Sequence, residues 1–212
     1  MAGKRVLVLG KPMNSIKSPI EILRERLDRA HPLSDGAWNA CMGHLQTHNW
    51  RPRQEIFAAG DQDRSVYFIV DGIARYYYID ADGQERNKSI TGAGGALCSM
   101  DAAINGNPSP FFAEAITELQ TVAIDYAKLL ELSDAFGEWS IVMRRLLERL
   151  ILKKERREFD FLMLSARQRY EKFLAEFGND ATRIPLRQVA MYLGITDVAL
   201  SRIRRDMGMT GT

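Results

Sequence analysis

The sequence lacks long apolar runs, and this absence limits where the protein can work. No apolar stretch in the 212 residues approaches the roughly 20 residues that a membrane-spanning helix needs. The apolar patch from Val6 to Gly10 is also too short for the hydrophobic part of a secretory signal. We therefore expect a cytoplasmic protein with no membrane partner.

Cysteine is scarce as well, and the two cysteines, Cys41 and Cys98, are far apart in the sequence. This count disfavours a structural disulfide and excludes a four-cysteine iron–sulfur cluster within one chain. The sequence also has no nucleophile–base pair, no phosphate-binding loop and no complete metal motif. It therefore does not suggest an enzyme.

The charge is divided unevenly along the chain. Residues 1–140 carry 14 basic and 18 acidic side chains, whereas residues 141–212 carry 15 basic and 9 acidic ones. A basic C-terminal part suits a polyanion such as nucleic acid, although an ordinary solvated helix surface gives the same pattern. Charge alone leaves both interpretations open.

Two helices are predicted within residues 19–48. The first, PIEILRERLDRA, repeats apolar residues at helical spacing, and the second, SDGAWNACMGHLQTH, opens with a Ser-Asp capping signal. On the second helix, Cys41, His44 and His48 would share one face, a spacing that permits a metal or haem. We favour incidental histidines there and predict no metal.

Residues 55–127 have a different pattern, in which short β-rich runs alternate with Gly, Asp and Asn turns. Asp82-Gly83 lies between YYYID and QERNKSI and is a favourable hairpin turn. Closely spaced strands with many glycines are typical of a small antiparallel barrel or sandwich.

A long helix is predicted from Gly137, where GEWSIVMRRLLERLILKKERREFDFLML contains no proline and no internal glycine. A helix of this length in a small protein usually packs against a partner helix, so we predict a homodimer, although the helix could also pack only on its own barrel. The predicted interface consists of Met143, Leu147, Leu150, Lys154, Arg157 and Phe161.

The most specific motif is LRQVAMYLGITDVALSRIRR, residues 186–205. If Leu186 is the first position of a helix-turn-helix, apolar residues occupy all of its buried positions. These are Val189, Leu193, Ile195, Leu200 and Ile203. Ala190 permits close helix packing, Gly194 permits the positive φ of the turn, and Thr196 can cap the second helix. The alternative is a helical hairpin with a purely structural role.

The second helix of this motif is predicted to enter the major groove of double-stranded DNA. Arg202 carries a planar guanidinium that suits the O6 and N7 acceptors of guanine. Thr196, Ser201 and Arg187 are better placed for phosphates. The predicted DNA contacts are Arg187, Gln188, Thr196, Asp197, Val198, Ser201, Arg202, Arg204 and Arg205.

With these elements in order, the chain resembles the bacterial transcription regulators typified by the cyclic-AMP receptor protein and the fumarate-nitrate regulator. The resemblance rests on AAGDQDRSVYFIVDGIARYYYIDADGQE, FLMLSARQRYEKFLAEF and the motif above, and it covers roughly residues 31–208. It implies an α+β fold with an antiparallel β-barrel or jelly roll, a long dimerisation helix and a C-terminal winged helix-turn-helix. It also implies double-stranded DNA and RNA polymerase as partners.

The resemblance sets the predicted domain boundaries and transfers individual contacts. The domains are an extension that is disordered or tag-like (1–18), a sensory barrel (19–136), a dimerisation helix (137–163) and a winged helix-turn-helix (164–212). Thr196 matches a phosphate-contacting hydroxyl, and Arg202 matches the guanine-reading arginine. Asp197 and Val198 depart from the Arg and Glu of the cyclic-AMP receptor protein, so its operator is not assumed.

The stretch GGALCSMDAAINGNPSPFFAEA, residues 94–115, lies where relatives carry their cyclic-nucleotide cassette. Their Gly-Glu-Leu and Arg-Ser/Thr-Ala triplets correspond here to Cys98-Ser99-Met100 and Ser109-Pro110-Phe111. No Lys or Arg lies between Ile90 and Asp125, so we expect a phosphate to meet no cation in this pocket. A cyclic nucleotide is therefore not the expected effector.

Three interpretations of this pocket stay open. A neutral or apolar ligand could be held by Met100, Phe111 and Phe112, with Leu152 and Lys153 approaching from the long helix. The thiol of Cys98 could have a redox role, or the barrel could be filled and have no effector. No cofactor is predicted.

The function that best unites these features is a sequence-specific DNA-binding transcription regulator that acts as a homodimer and does not respond to cyclic AMP. The alternative hypothesis is an effector-binding sensory module whose C-terminal helices bind a protein partner instead of DNA. Binding to genomic DNA would distinguish the two.

Overall fold

The computed structural model describes residues 17–209. Most of the predicted extension, 1–18, lies outside this range, but Ser18 belongs to the first helix, α1 (Pro19–Ala30), as its N-cap. The Ser18 hydroxyl accepts a hydrogen bond from the backbone N–H of Glu21, and the Glu21 carboxylate accepts one from the backbone of Ser18. This reciprocal pair satisfies two donors that would otherwise be unpaired at the helix start.

Within the described residues, eight short strands form two four-stranded antiparallel sheets. They are β1 (Gln46–Trp50), β2 (Glu55–Phe57), β3 (Ser65–Asp71), β4 (Ile73–Ile79), β5 (Glu85–Gly92), β6 (Ala96–Leu97), β7 (Phe112–Ala115) and β8 (Leu119–Asp125). One sheet has the order β1-β8-β3-β6 and the other β2-β7-β4-β5. Apart from the β4–β5 hairpin, neighbours in each sheet are distant in sequence, as in a jelly roll. This arrangement agrees with the predicted barrel or sandwich.

The predicted hairpin at Asp82-Gly83 is confirmed. Strands β4 and β5 pair as antiparallel neighbours on either side of it. Gly83 has a φ of 77°, and its N–H donates to the carbonyl of Asp80 at 3.0 Å. A positive φ at this position is easiest for glycine, which explains the residue choice.

The second predicted helix is shorter than expected. Helix α2 covers Asp35–Met42, and the segment after Gly43 becomes β1 instead of continuing the helix to residue 48. Because β1 lies directly against β8 over five paired positions, its backbone is satisfied by the sheet. Pairing with a distant strand has overridden the local helical pattern.

This change removes the helical face proposed for a metal. Cys41 lies in α2, whereas His44 follows the helix and His48 lies in β1, stacked on Trp50. The Cys41 thiol is buried and donates to the carbonyl of Trp38 at 3.0 Å. Within residues 17–209, no three His, Cys, Asp or Glu side chains are grouped so that they could hold a metal ion.

The remaining elements are helical. They are α3 (Met100–Asn105), α4 (Tyr126–Ala135), α5 (Gly137–Met163), α6 (Ala166–Phe177), a 3₁₀ helix (Gly178–Arg183), α7 (Leu186–Leu193) and α8 (Asp197–Asp206). The long helix α5 therefore begins where it was predicted. In the described part of the chain, no helix is long and apolar enough to cross a membrane.

Buried apolar clusters connect α5 and the C-terminal helices to the β-sandwich. Trp139, near the start of α5, is 1% exposed, and its indole N–H donates to the carbonyl of Ala37 in α2. A separate cluster joins α6, α7 and α8, and it includes Ile73 and Ile90 from the sandwich. Each such side chain contributes roughly 1.5–3 kcal/mol when it is fully buried. The C-terminal helices are thus docked on the sandwich.

The wing expected from the resemblance is not found among the described residues. Between residues 137 and 209 the structure contains helices and connecting segments only, with no strand before α7 or after α8. Residues 178–183, where the chain passes from α6 to α7, form a 3₁₀ helix.

Candidate functional site

The two helices α7 and α8 have the geometry of a helix-turn-helix. Val189, Leu193 and Leu200 are 1–2% exposed, and Ala190 is fully buried where the helices meet. Gly194 adopts a φ of +68°, and a Cβ there would lie 2.7 Å from the ring of Phe161. The turn therefore needs glycine both for its backbone conformation and for its close contact with α5.

The N-terminus of α8 is capped as predicted. The Thr196 hydroxyl accepts a hydrogen bond from the N–H of Ala199 at 3.1 Å, and Asp197 lies in the first turn. This cap orders the first turn of α8, which carries the exposed side chain of Val198, 62% accessible to solvent.

Five of the predicted DNA contacts form one exposed face on α8. They are Asp197, Val198, Ser201, Arg202 and Arg205. Within residues 17–209, Arg187 and Arg202 form no ion pair, and Arg205 has only a long contact of 3.9 Å with Asp206. This face thus presents guanidinium groups that are not already neutralised, which is what a polyanion requires.

Two other predicted contacts face the protein interior. Gln188 is half-buried against β5, where its side-chain oxygen accepts hydrogen bonds from Arg75 at 3.0 Å and Asn87 at 2.8 Å. Arg204 donates to the hydroxyl of Tyr170 at 2.8 Å and so braces α8 against α6. In this docked arrangement the structure corrects both predictions. The sequence of the motif alone does not show which other parts of the chain pack against it.

Arg75 is the centre of the polar contact between the sandwich and α7. It is 2% exposed and donates to Glu114, Glu85 and Asn87 as well as to Gln188. Burial alone would lower the pKa of Arg75, but the hydrogen bonds to Glu85 and Glu114 outweigh burial and raise it. A charged, fully bonded arginine of this kind fixes the position of the groups around it.

The predicted dimer residues divide into two sets. Leu147, Leu150, Lys154 and Phe161 are exposed on α5, as an interface requires. Met143, in contrast, packs against the cluster around Trp139.

Arg157 also differs from the prediction, because it turns inward. Its guanidinium donates to the carbonyls of Asn87 and Tyr192 and lies 4.0 Å from the centroid of the Tyr192 ring. Burial lowers the pKa of Arg157. This arginine connects α5 to both the sandwich and α7 within one chain.

The exposed apolar surface of α5 is wider than the predicted stripe. It also includes Ile151, Leu152, Phe159, Leu162 and Met163, which are 47–75% exposed. The charged residues between them obscured this surface in the sequence. Apolar side chains at this level of exposure, concentrated on one helix, mark an interaction surface.

A cavity of about 470 Å³ lies between the sandwich and α5. Five of the nine residues predicted for the effector pocket line it, namely Cys98, Met100, Pro110, Phe111 and Lys153. The predicted pocket region is therefore a real cavity in the structure. Its volume is in the range of small-molecule sites.

The other four predicted pocket residues lie elsewhere, and one of them, Phe112, stacks on the ring of Tyr77. The Ser109 hydroxyl donates to the carbonyl of Phe111, and Ser99 is buried with a hydroxyl that has no hydrogen-bond partner. Leu152 faces a second cleft, of about 610 Å³, between α5, α6 and α7. An offset of one or two residues in the turn-rich segment 94–115 is enough to misplace Ser99 and Ser109.

The expectation that an anion would meet no cation in this pocket is wrong. The segment 90–125 indeed supplies none, but Lys88 reaches the cavity from β5, and further basic side chains reach it from α5. These are Arg149, Lys153, Lys154 and Arg157. Residues distant in sequence provide the charge, which no local motif could show.

The thiol of Cys98 is poorly suited to redox chemistry. Burial raises the pKa of Cys98 to about 12, and the charge of Asp63 adds to the effect. Because the thiolate is the reactive form, a thiol with this pKa is inert near neutral pH. Its backbone N–H donates to the hydroxyl of Tyr76 at 2.7 Å, which fixes this edge of the cavity.

Comparison with known proteins agrees with this architecture. Residues 47–136, which include the sandwich, match the cyclic nucleotide-binding domain family. The structure of FixK2 from Bradyrhizobium japonicum superposes with a TM-score of 0.67 over 79% of this chain and 88% of that one. At 19% identity, this likeness shows the fold alone.

Two sequence relatives are regulatory proteins. The fumarate and nitrate reduction regulatory protein of Vibrio cholerae is 27% identical over 207 residues, covering 91% of this chain and 74% of the relative. The nitrogen fixation regulation protein FixK of Rhizobium meliloti is 31% identical over 166 residues, covering 73% of this chain and 71% of the relative. The chain therefore belongs to the family of the cyclic-AMP receptor protein and the fumarate-nitrate regulator, the Crp/Fnr transcription regulators.

Proposed function

We propose that the protein is a homodimeric transcription regulator that binds double-stranded DNA in a sequence-specific way. The observation that carries this proposal is the outer face of α8, where Val198, Ser201 and Arg202 are exposed beside a capped N-terminus. A helix presented in this way can enter the major groove with its first two turns towards the bases. Because RNA polymerase is the machinery that such regulators act on, it is the further partner we propose.

Within the groove, we assign base reading to Arg202 and backbone contacts to its neighbours. The guanidinium of Arg202 is exposed and can donate two parallel hydrogen bonds to guanine, while Val198 can contact a thymine methyl group. Thr196, Arg187 and Arg205 are placed at the ends of the two helices, where phosphates pass. Recognition then depends on α7 and α8 without the help of a wing from the described residues.

Dimerisation is assigned to α5, because its outer surface is apolar and exposed. Ile151 is 61% exposed and does not line the cavity of about 470 Å³, so it reports on the interface alone. A charge at this position should keep two helices apart, since an unpaired carboxylate would be buried between them. Two paired subunits would place two recognition helices on half-sites about one helical turn apart.

Regulation is proposed to act on the docking of α7 against the sandwich. Gln188 and Asn87 are hydrogen-bonded across this contact, and α5 ends at Met163 before α6 begins at Ala166. A short connection of this kind can act as a hinge between two arrangements of the helix-turn-helix. The degenerate cassette residues Ser99 and Ser109 support a signal other than cyclic AMP.

The proposal is tested by DNA binding and by the oligomeric state. Mobility shifts with fragments of the source genome should show a subset of fragments bound preferentially, with binding that weakens as salt rises. In sedimentation, Ile151→Glu should be a monomer, whereas the matched control Leu130→Glu should stay a dimer. Leu130 is 46% exposed on α4, away from the proposed interface.

Two results would contradict the proposal. Binding to all DNA with equal affinity, or to none, would favour the alternative in which the C-terminal helices bind a protein. If Ile151→Glu remains a dimer, the dimer interface does not lie on α5.

A further inference from the structure

The cavity beneath α5 is lined by both apolar and basic side chains. Its apolar lining comes from strands and from α5, and it includes Phe68, Leu146 and Leu150. Its basic lining comes from Lys88 of β5 and from basic side chains of α5. A cavity with both kinds of lining fits a ligand with an apolar body and one charged group.

Lys88 is the most unusual side chain in this cavity. Its ammonium nitrogen lies 3.3 Å from the centroid of the Phe111 ring and 5.4 Å from that of Tyr76. Aromatic faces attract a cation, but they replace only part of the hydration that it loses. Burial, followed by the nearby charge of Lys154, lowers the pKa of Lys88 to about 8.

Among residues 17–209, no carboxylate forms an ion pair with Lys88, whereas Lys153 lies 4.0 Å from Glu176. Of the side chains that line the cavity, Asp101 alone is acidic, and its carboxylate already accepts hydrogen bonds from Asn105 at 2.7 Å and Asn107 at 3.1 Å. The charge of Lys154 repels that of Lys88, and further basic side chains of α5 line the same cavity. An external anion would therefore relieve both repulsion and incomplete solvation.

The remaining lining restricts which anion can bind. A cyclic nucleotide would place ribose hydroxyls and a polar base against methionine, leucine and phenylalanine side chains, where their hydrogen bonds would be lost. Glu114, the other acidic residue of the stretch 94–115, accepts a hydrogen bond from Arg75 at 3.0 Å and is not among the residues that line the cavity. An apolar chain or ring in the same place has no hydrogen bonds to lose.

We propose that this cavity binds a small monocarboxylate with an apolar chain or ring, whose carboxylate pairs with the ammonium of Lys88 and whose body packs against α5. The binding itself does not depend on DNA. As a regulatory signal, the ligand rests on the function proposed above, and it would act because Lys153 connects the cavity wall to the carbonyl of Ile90 beside α7.

The experiment uses isothermal titration calorimetry of the full chain with octanoate and 4-phenylbutyrate, each compared with its uncharged amide. We expect each acid to bind about tenfold or more tightly than its amide, since a hydrogen bond to a charged group contributes more than a neutral one. Lys88→Met should remove this preference and leave the amide affinity unchanged. The matched control Lys128→Met, on the outer side of α4, should keep it.

Three results would overturn the proposal. Equal affinities for acid and amide would show that the cavity recognises only apolar surface. If neither acid binds at millimolar concentration, the cavity is not a binding site for such ligands. Tighter binding of cyclic AMP than of both acids would show that the cavity prefers a cyclic nucleotide. The acid–amide comparison uses the unaltered chain without DNA. It therefore tests the proposal even if Lys88→Met does not fold or the protein does not bind DNA.

Discussion

The outer face of α8 and the cavity beneath α5 are both cationic, but they hold their charges in opposite environments. Arg202 and Arg205 are exposed on α8 and surrounded by water. Lys88 and Lys153 are half-buried beside the cavity, and burial lowers the pKa of both.

The difference determines what each region can select. Exposed guanidinium groups attract a polyanion over a long range, and ions in the solvent weaken that attraction. A desolvated ammonium interacts strongly with one anion in contact with it and is screened much less. The same side-chain charge therefore suits α8 to a nucleic acid and the cavity to a small acid.

The largest expected effect that separates the two regions is the response to salt. For a dimer with at least six phosphate contacts, raising salt from about 50 to about 200 mM should weaken DNA binding about 10³-fold or more. Octanoate binding in the cavity should change by less than about threefold over the same range, because the ammonium of Lys88 is shielded from the solvent. Mobility shifts and calorimetry in matched buffers measure the two. Equal salt dependence would mean that the cavity charges are open to solvent.

The second effect concerns which charge on α8 reads sequence. Arg202→Ala should cost about 1–3 kcal/mol at one operator position and relax the preference there. Arg205→Ala, on the same helix, should instead weaken binding to all sequences by a similar factor. Affinities for an operator and its single-base variants distinguish these outcomes, and a uniform loss in Arg202→Ala would make it a phosphate contact.

The two regions also differ in how far the sequence predicts them. All of the positions that define the helix-turn-helix lie within 20 consecutive residues, so their spacing alone predicted the turn at Gly194 and the cap at Thr196. It also predicted the buried Val189, Leu193 and Leu200, whereas Ile195 and Ile203 are only half-buried. Local sequence specifies local structure, and here nothing distant overrides it.

The cavity could not be predicted in the same way. Lys88 and Lys154 are 66 residues apart in the sequence and meet only because β5 packs beside α5. Reasoning from the cassette segment found Cys98 and Phe111, and the resemblance added Lys153. The other cations of the cavity were missed, and the electrostatic conclusion was therefore wrong. The inward position of Gln188 was missed for a related reason, since its partners Arg75 and Asn87 belong to the other half of the chain.

The third prediction concerns the contact that joins the two regions. Asn87→Ala removes hydrogen bonds to Gln188 and Arg75, so the docking of α7 on β5 should weaken by about 1.5 kcal/mol. Hydrogen exchange of the α7 amides should then be about tenfold faster. Asn49→Ala, which loses only a surface bond to Gln120, is the control and should exchange at the normal rate. Unchanged exchange in α7 would show that apolar packing alone holds the helix in place.

The smallest effect is the pH dependence of stability caused by Lys88. Its pKa is about 8 in the folded chain and near 10.5 when unfolded, so the unfolded state binds more protons between these values. Stability should therefore rise with pH across that window, and Lys88→Met should lack the rise. After allowance for solvent screening, we expect Lys88→Met to be more stable than the parent by about 1 kcal/mol at pH 7.

This prediction is checked by urea unfolding of both proteins at pH 7 and pH 10. The stability difference should shrink as pH rises, since the other charged groups that line the cavity are common to both chains. A difference that is constant with pH would mean that the ammonium of Lys88 is fully solvated.

The most direct measurement of the central proposal is selection from a random library of duplex DNA by the purified full-length protein. Reading of sequence by α8 in a dimer predicts an enriched motif with two inverted half-sites about one helical turn apart. It also predicts that Arg202→Ala loses selectivity at one symmetric pair of positions. Recovery of DNA with no enriched motif, or of a motif unchanged in Arg202→Ala, would contradict the assignment of α8 as the recognition helix.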